Sequence, residues 1–315
     1  MDFRTELKLK PYDFTISLND RLFFLGSCFA ENLGSYFDEY KFKSTINPFG
    51  ILYHPLALKK SVGIALDKSF NPLESAFYFN GIWSHFDAHS KLSSPHKNDL
   101  IHAIQQAKVK TIDNIKNANV IFITLGTAWV YRYIENNQIV ANCHKLPQQY
   151  FKKELLSLEE TQKSLSDTAS QILKVNPDVK IVFTLSPVRH LKDGFVDNQV
   201  SKSTLHIGIQ SIVKKIDQAV YFPSYELLLD DLRDYRFFKN DKVHPSDLAL
   251  DYIWSKVIDT FFDDITKSTL VEVEKINKRL NHRFFDSESE AAQKFKQKTQ
   301  KLIQELETKI SLKLF

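Results

Sequence analysis

Apolar positions along the first 265 residues follow two alternating patterns. Short unbroken runs at 21–25, 120–125, 180–185 and 219–222 are rich in β-branched and aromatic residues and are flanked by turn formers, with a weaker run at 43–46. Runs of this length and composition predict strands buried on both faces. Between them, residues 99–116, 158–174 and 203–217 carry apolar side chains three and four positions apart, the spacing of helices with one buried face. Strand–helix alternation predicts a parallel sheet covered by helices on both sides. A last helix of this body is expected over 245–262.

Two stretches break the rhythm. Residues 75–95 and 130–150 are rich in aromatic, Asn and His residues and contain the turn signals Asn80-Gly81 and Asn136-Asn137. They predict hairpins or long loops over the carboxyl edge of the sheet, where ordered insertions shape sites. Past residue 265, Phe295, Thr299, Leu302, Ile303, Leu306 and Ile310 form one apolar stripe at helical spacing. That stripe predicts a helix packed on the body or, alternatively, a homodimer helix. The organisation expected is a domain over 1–265 with inserts, followed by a helical extension over 266–315.

Charge narrows the function classes. The net charge is +4, and residues 266–315 carry all of it, with 11 Lys/Arg against 7 Asp/Glu. The remaining body is neutral, which argues against a nucleic-acid face. Two cysteines, Cys28 and Cys143, make no disulfide framework. No apolar leader follows Met1-Asp2-Phe3-Arg4 and no apolar stretch is long enough to span a bilayer, so a cytoplasmic chain is expected.

The first strand runs into Gly26-Ser27-Cys28, where a helix begins. A serine there is most often a helix N-cap, but it also sits where backbone N–H groups face an anion and where doubly wound sheets bind ligands. Near the end of the body, Asp241 and His244 stand at i and i+3 before Pro245. A carboxylate so placed can fix an imidazole tautomer and leave the other ring nitrogen to take a hydroxyl proton. Cys28 is the competing nucleophile, read instead as a small core residue. His85, Asp87 and His89 would share one face of a strand and could converge on an ion, yet no zinc-ligand spacing is present. Neither a metal nor a cofactor is expected, and the alternatives are an exposed polar hairpin face or a pocket wall that includes Asp87, His89 and Ser90. Arg189 either clamps a substrate carboxylate or phosphate or holds its own loop through an acid. Arg233-Asp234-Tyr235-Arg236 is expected to brace His244.

The blocks Gly26-Ser27-Cys28-Phe29-Ala30, Asn47-Pro48-Phe49-Gly50, Leu125-Gly126-Thr127, Asn142-Cys143-His144-Lys145, Ser186-Pro187-Val188-Arg189-His190 and Asp241-Lys242-Val243-His244-Pro245-Ser246 resemble the GSCFA-domain family, within the SGNH/GDSL-type hydrolase superfamily. The resemblance implies a flavodoxin-like three-layer α/β/α sandwich with about five parallel strands. It implies a nucleophile at Ser27, a base at His244 and an orienting acid at Asp241. The implied oxyanion donors are the N–H groups of Ser27 and Gly50, with Thr127 or Asn142 standing in for a side-chain amide, because Ala128 occupies the place where such blocks read G-x-N. Asn47, His89, Trp129, His144, Arg189 and His190 are the expected substrate-binding residues. The expected activity is hydrolysis of an O-acyl, plausibly acetyl, ester on a carbohydrate or cell-envelope glycan. An O-acyltransferase with the same triad and a non-catalytic glycan- or ester-binding module are the alternatives.

Overall fold

In the computed structural model, which describes residues 4–315, the five apolar runs form the central sheet. Residues 1–3, where the leader expectation begins, lie outside the described residues. The sheet strands are β1 (Arg21–Gly26), β2 (Lys43–Ile46), β5 (Val120–Leu125), β9 (Lys180–Leu185) and β10 (Ala219–Phe222). They run parallel in the order β10-β9-β5-β1-β2. Numbered within the sheet this is 2-1-3-4-5, the doubly wound flavodoxin-like order, whose reversal point lies beside β1.

Strand alternation divides the sheet side chains cleanly between two cores. Phe23, Leu25, Ile121, Ile123, Ile181 and Phe183 enter one cluster with α2 (Pro55–Leu66), α3 (Lys97–Asn117), α4 (Leu158–Val175) and α5 (Phe195–Val213). Leu22, Phe24, Val120, Phe122, Val182 and Phe222 enter the other with α1 (Cys28–Glu39) and α7 (Asp247–Phe261). The second cluster also takes in Leu7, Tyr12 and Phe14 from the start of the chain and Ile310, Leu312 and Leu314 from its end. The expected three layers are therefore present. No helix among the described residues is long and apolar enough to cross a membrane.

Both inserts are β-structured. β3 (Ala76–Phe79) and β4 (Ile82–His85) form a hairpin whose turn residues Asn80 and Gly81 both have positive φ. β6 (Trp129–Tyr133), β7 (Gln138–Val140) and β8 (Phe151–Leu155) form an antiparallel sheet in the order β7-β6-β8. The two inserts are joined: the Phe86 ring packs on that of Tyr133, 4.9 Å between centroids, and the Ala141 N–H donates to Phe86 O at 2.8 Å.

Three helix expectations need correction. Helix α5 begins at Phe195, eight residues before the periodicity suggested, because its first turns are inverted. Phe195, Val196 and Val200 are exposed while Asn198, Ser201 and Lys202 are buried. Helix α7 starts at Asp247, with Ser246 Oγ capping the Ala249 N–H; Pro245 instead pairs with Phe238 in a β-bridge. The extension is a helical hairpin, α8 (Asp264–Leu280) and α9 (Glu290–Ile310), so position 265 falls inside a helix. The α9 stripe packs through Ile303 and Leu306 on Val273 and Ile276 of α8 in the same chain. Between β10 and α7 the chain makes α6 (Ser224–Glu226) and a π-turn over Leu227–Leu232.

Candidate active site

The end of β1 is held in one conformation from three sides. The Gly26 N–H donates to Asn47 Oδ1 at 2.8 Å, and the Ser27 N–H donates to Thr124 O at 3.0 Å. Ser27 Oγ accepts from the Phe29 N–H at 3.3 Å as the N-cap of α1. Gly26 is required: its φ is +134°, and a Cβ there would lie 2.1 Å from Thr124 O. Ser27 itself is only 3% exposed.

Asp241 and His244 meet within one turn of chain. Asp241 Oδ2 accepts from His244 Nδ1 at 2.7 Å, and Asp241 Oδ1 accepts from the N–H groups of Val243 and His244 at 2.9 and 3.0 Å. The two backbone donors and then the imidazole hold the Asp241 carboxyl well below the usual carboxylate range. Because a carboxylate accepts only, the proton sits on Nδ1 and Nε2 is left as the acceptor. The loop is braced by the Lys239 N–H on His244 O (2.8 Å) and the Arg189 N–H on Val243 O (3.3 Å).

Ser27 and His244 line one cavity of about 650 Å³ at the carboxyl edge of the sheet, roofed by the β6–β8 insert. No hydrogen bond joins the two side chains. His89, Trp129, Asn142, His144, Arg189 and His190 line it too. Burial pushes both cavity thiols up, Cys143 to about 11, so neither is a ready thiolate. Cys28 lines the cavity and is not a core residue, which corrects that expectation.

The chain matches the GSCFA family over residues 21–257. It belongs to that family. The GSCFA domain protein, C-terminal domain, matches residues 273–313, which take in the end of α8 and all of α9. No curated protein matches the chain. The larger GSCFA match runs from β1 into α7 and contains Ser27, Asp241 and His244.

Within the GSCFA chain several expected roles do not survive the geometry. The Ser27 N–H is a rung of the β1–β5 ladder. The Gly50 N–H closes a turn onto Asn47 O at 2.7 Å, and Gly50 does not line the cavity. Thr127 Oγ1 is engaged by Ser201 Oγ at 2.9 Å and by the Trp129 N–H at 3.1 Å. Three of the four expected oxyanion donors are therefore occupied. Asn142 remains: its Oδ1 accepts from the His144 N–H at 2.8 Å, and its Nδ2 has no acceptor among the described residues. Asn47 is a buried clamp on Gly26 and faces a separate groove of about 690 Å³ between the β2 edge and α3, so it is not part of the Ser27 cavity.

His85, Asp87 and His89 do not converge, because β4 ends at His85 and the chain turns. His85 and Asp87 are buried, which also corrects the exposed-face alternative. Asp87 pairs with Lys60 at 2.8 Å, and His89 alone of the three lines the cavity. Neither Asp87 nor Ser90 lines it. Among the described residues no group of three or more His, Cys, Asp or Glu side chains is placed to hold a metal. Arg189 lies over the rings of Phe238 and Tyr235, 4.4 and 5.4 Å from their centroids, and has no carboxylate partner among the described residues. It thus holds the His244 loop through aromatic faces where an acid was expected. Of the expected brace, Asp234 pairs with Arg236 and Tyr235 supports Arg189.

Sequence reasoning missed Ile51, Tyr53 and Lys202. Ile51 and Tyr53 line the cavity, and Tyr53 O accepts the Gly126 N–H at 2.7 Å. Their signal was position alone, directly after the Asn47–Gly50 block.

Proposed function

We propose that this GSCFA protein is a serine hydrolase of the SGNH/GDSL type that removes an O-acyl group, acetyl above all, from a carbohydrate or cell-envelope glycan. The observation that carries the reading is that His244, its ring held by Asp241, lines the same cavity as Ser27. In this reading Ser27 Oγ attacks the acyl carbonyl, His244 Nε2 takes its proton and returns it to the leaving alcohol, and Asp241 holds the tautomer. A substrate between Ser27 and His244 completes the relay that the free chain leaves open.

The oxyanion donors differ from those first expected. The Cys28 N–H lies in the open first turn of α1, where no intrahelical acceptor exists. The Ile51 N–H has no acceptor among the described residues, and Ile51 lines the cavity. With Asn142 Nδ2 these are the donors we assign. Trp129, Tyr53 and Tyr131 supply aromatic walls suited to a sugar face. Both cysteines are free, which supports a reducing compartment such as the cytoplasm.

One observation favours a second reading. The engaged Ser27 and Gly50 N–H groups and the capping role of Ser27 Oγ suit a glycan- or ester-binding module without turnover. Release of p-nitrophenol from p-nitrophenyl acetate separates the two. The hydrolase reading expects turnover by wild type and loss to the buffer rate in Ser27→Ala and His244→Asn, each folded. Equal rates in all three, with ligand affinity retained, would sink it.

A further inference from the structure

Helix α5 turns a polar face inward behind the cavity. Asn198 Oδ1 accepts the His190 N–H at 2.8 Å, Ser201 Oγ accepts the Ala128 N–H at 2.7 Å, and Asp197 O accepts from Trp129 Nε1 at 3.3 Å. At the centre lies Lys202, 1% exposed, whose Nζ donates to Gly126 O and to Ser186 O, both at 2.7 Å. Those carbonyls directly follow β5 and β9. The segment after Gly126 leads to Trp129, and the segment after Ser186 carries Arg189 and His190. One ammonium therefore ties together the roots of two cavity walls.

We propose that Lys202 is a positioning residue, whose buried ammonium fixes the spacing of the β5 and β9 ends and pairs two carbonyls that would otherwise be buried without a donor. This rests on the hydrolase reading for its effect on turnover, but the geometry stands without it.

The groups around Lys202 are few. The Cys28 thiol of α1 and the His190 imidazole after β9 feel its charge, and the Tyr225 ring centroid lies 5.8 Å from Nζ. No carboxylate forms an ion pair with it among the described residues. Burial lowers its pKa to about 7, as expected for a cation that has carbonyls but no counter-ion. His190 is in turn faced by Asp193, His244 and the Tyr53 ring, and burial with the Lys202 charge lowers it to about 4. Melting temperature does not test the proposal, since a buried cation and two unpaired carbonyls are both costly.

The experiment compares the full chain with Lys202→Met and Lys202→Arg, following imidazole titrations by NMR and p-nitrophenyl acetate turnover in parallel. In folded Lys202→Met, His190 is expected to take up its proton at higher pH than in wild type. Its kcat should fall about tenfold to a hundredfold, with KM moving less than about threefold, and Lys202→Arg should recover part of both. A folded Lys202→Met with wild-type His190 titration and wild-type kcat overturns the proposal. If wild type itself releases no p-nitrophenol, the hydrolase reading fails and the His190 titration still decides the role of Lys202. If Lys202→Met does not fold, wild type decides. Gly126 C=O and Thr127 N–H share one peptide unit, so the Thr127 amide resonance should move as Lys202 titrates near pH 7. A Thr127 resonance that stays flat while Lys202 Nζ is itself seen to titrate overturns the proposal.

Discussion

Asp241 grips His244 twice, by the ring Nδ1 at 2.7 Å and by the backbone N–H at 3.0 Å. The double hold sets both the position of the residue and the tautomer of its ring. Asp241→Asn keeps the backbone acceptor but offers an N–H where the ring needs an oxygen. Turnover of p-nitrophenyl acetate is expected to fall about 10²–10⁴-fold, mainly in kcat. Undiminished kcat in a folded Asp241→Asn would remove the pair from the mechanism.

Two glycines separate conformational need from mere tolerance. Gly26→Ala places a Cβ 2.1 Å from a backbone oxygen at a φ of +134°. It is expected to cost about 3 kcal/mol or more. Gly63 lies inside α2, and an added methyl there would meet nothing within 4 Å. Gly63→Ala is expected to gain about 0.5–1 kcal/mol. Urea unfolding of both variants checks the contrast, and equal effects would contradict it.

Asp87 is buried at 3% exposure, paired with Lys60 at 2.8 Å and with Gln138 Nε2 at 3.3 Å, so it links α2 to both inserts. Lys60→Met leaves that carboxylate without its counter-charge and is expected to cost about 2–3 kcal/mol. Adding Asp87→Asn should recover part of the loss. A double-mutant cycle with no coupling would show that the pair contributes nothing.

Acid should loosen the fold through buried histidines before most carboxylates matter. Burial lowers His54, His85 and His190 from 6.5 to about 4. Between those values the unfolded chain binds protons that the folded chain refuses. Their contribution is therefore fully present above about pH 6.5 and is lost as pH falls toward 4. Urea midpoints measured from pH 7 to 4.5 should drop, with an uptake of about two or more protons on unfolding, since burial lowers His89 and His144 as well. A flat profile would mean that these imidazoles are not held neutral.

The sheet was legible because its strands are apolar on both faces, as Phe23 and Phe24 entering opposite cores illustrate. The Asp241–His244 pair was legible because three residues of chain suffice to close it. Helix α2 went unread, since Pro55–Leu66 is apolar nearly all round and carries little periodicity. The start of α5 was hidden by its inversion, with Val196 outside and Lys202 inside. The oxyanion donors were the least legible part. Whether the Gly50 N–H is free depends on where Asn47 O lies, and residue identity does not encode that.

The two ends of the chain share one cluster behind β1, with Leu7, Tyr12 and Phe14 meeting the layer that Ile310, Leu312 and Leu314 also enter. Leu7 and Leu314 thus lean on a common layer although nearly the whole sequence separates them. A break in either segment loosens the seat of the other, so the two hold or let go together.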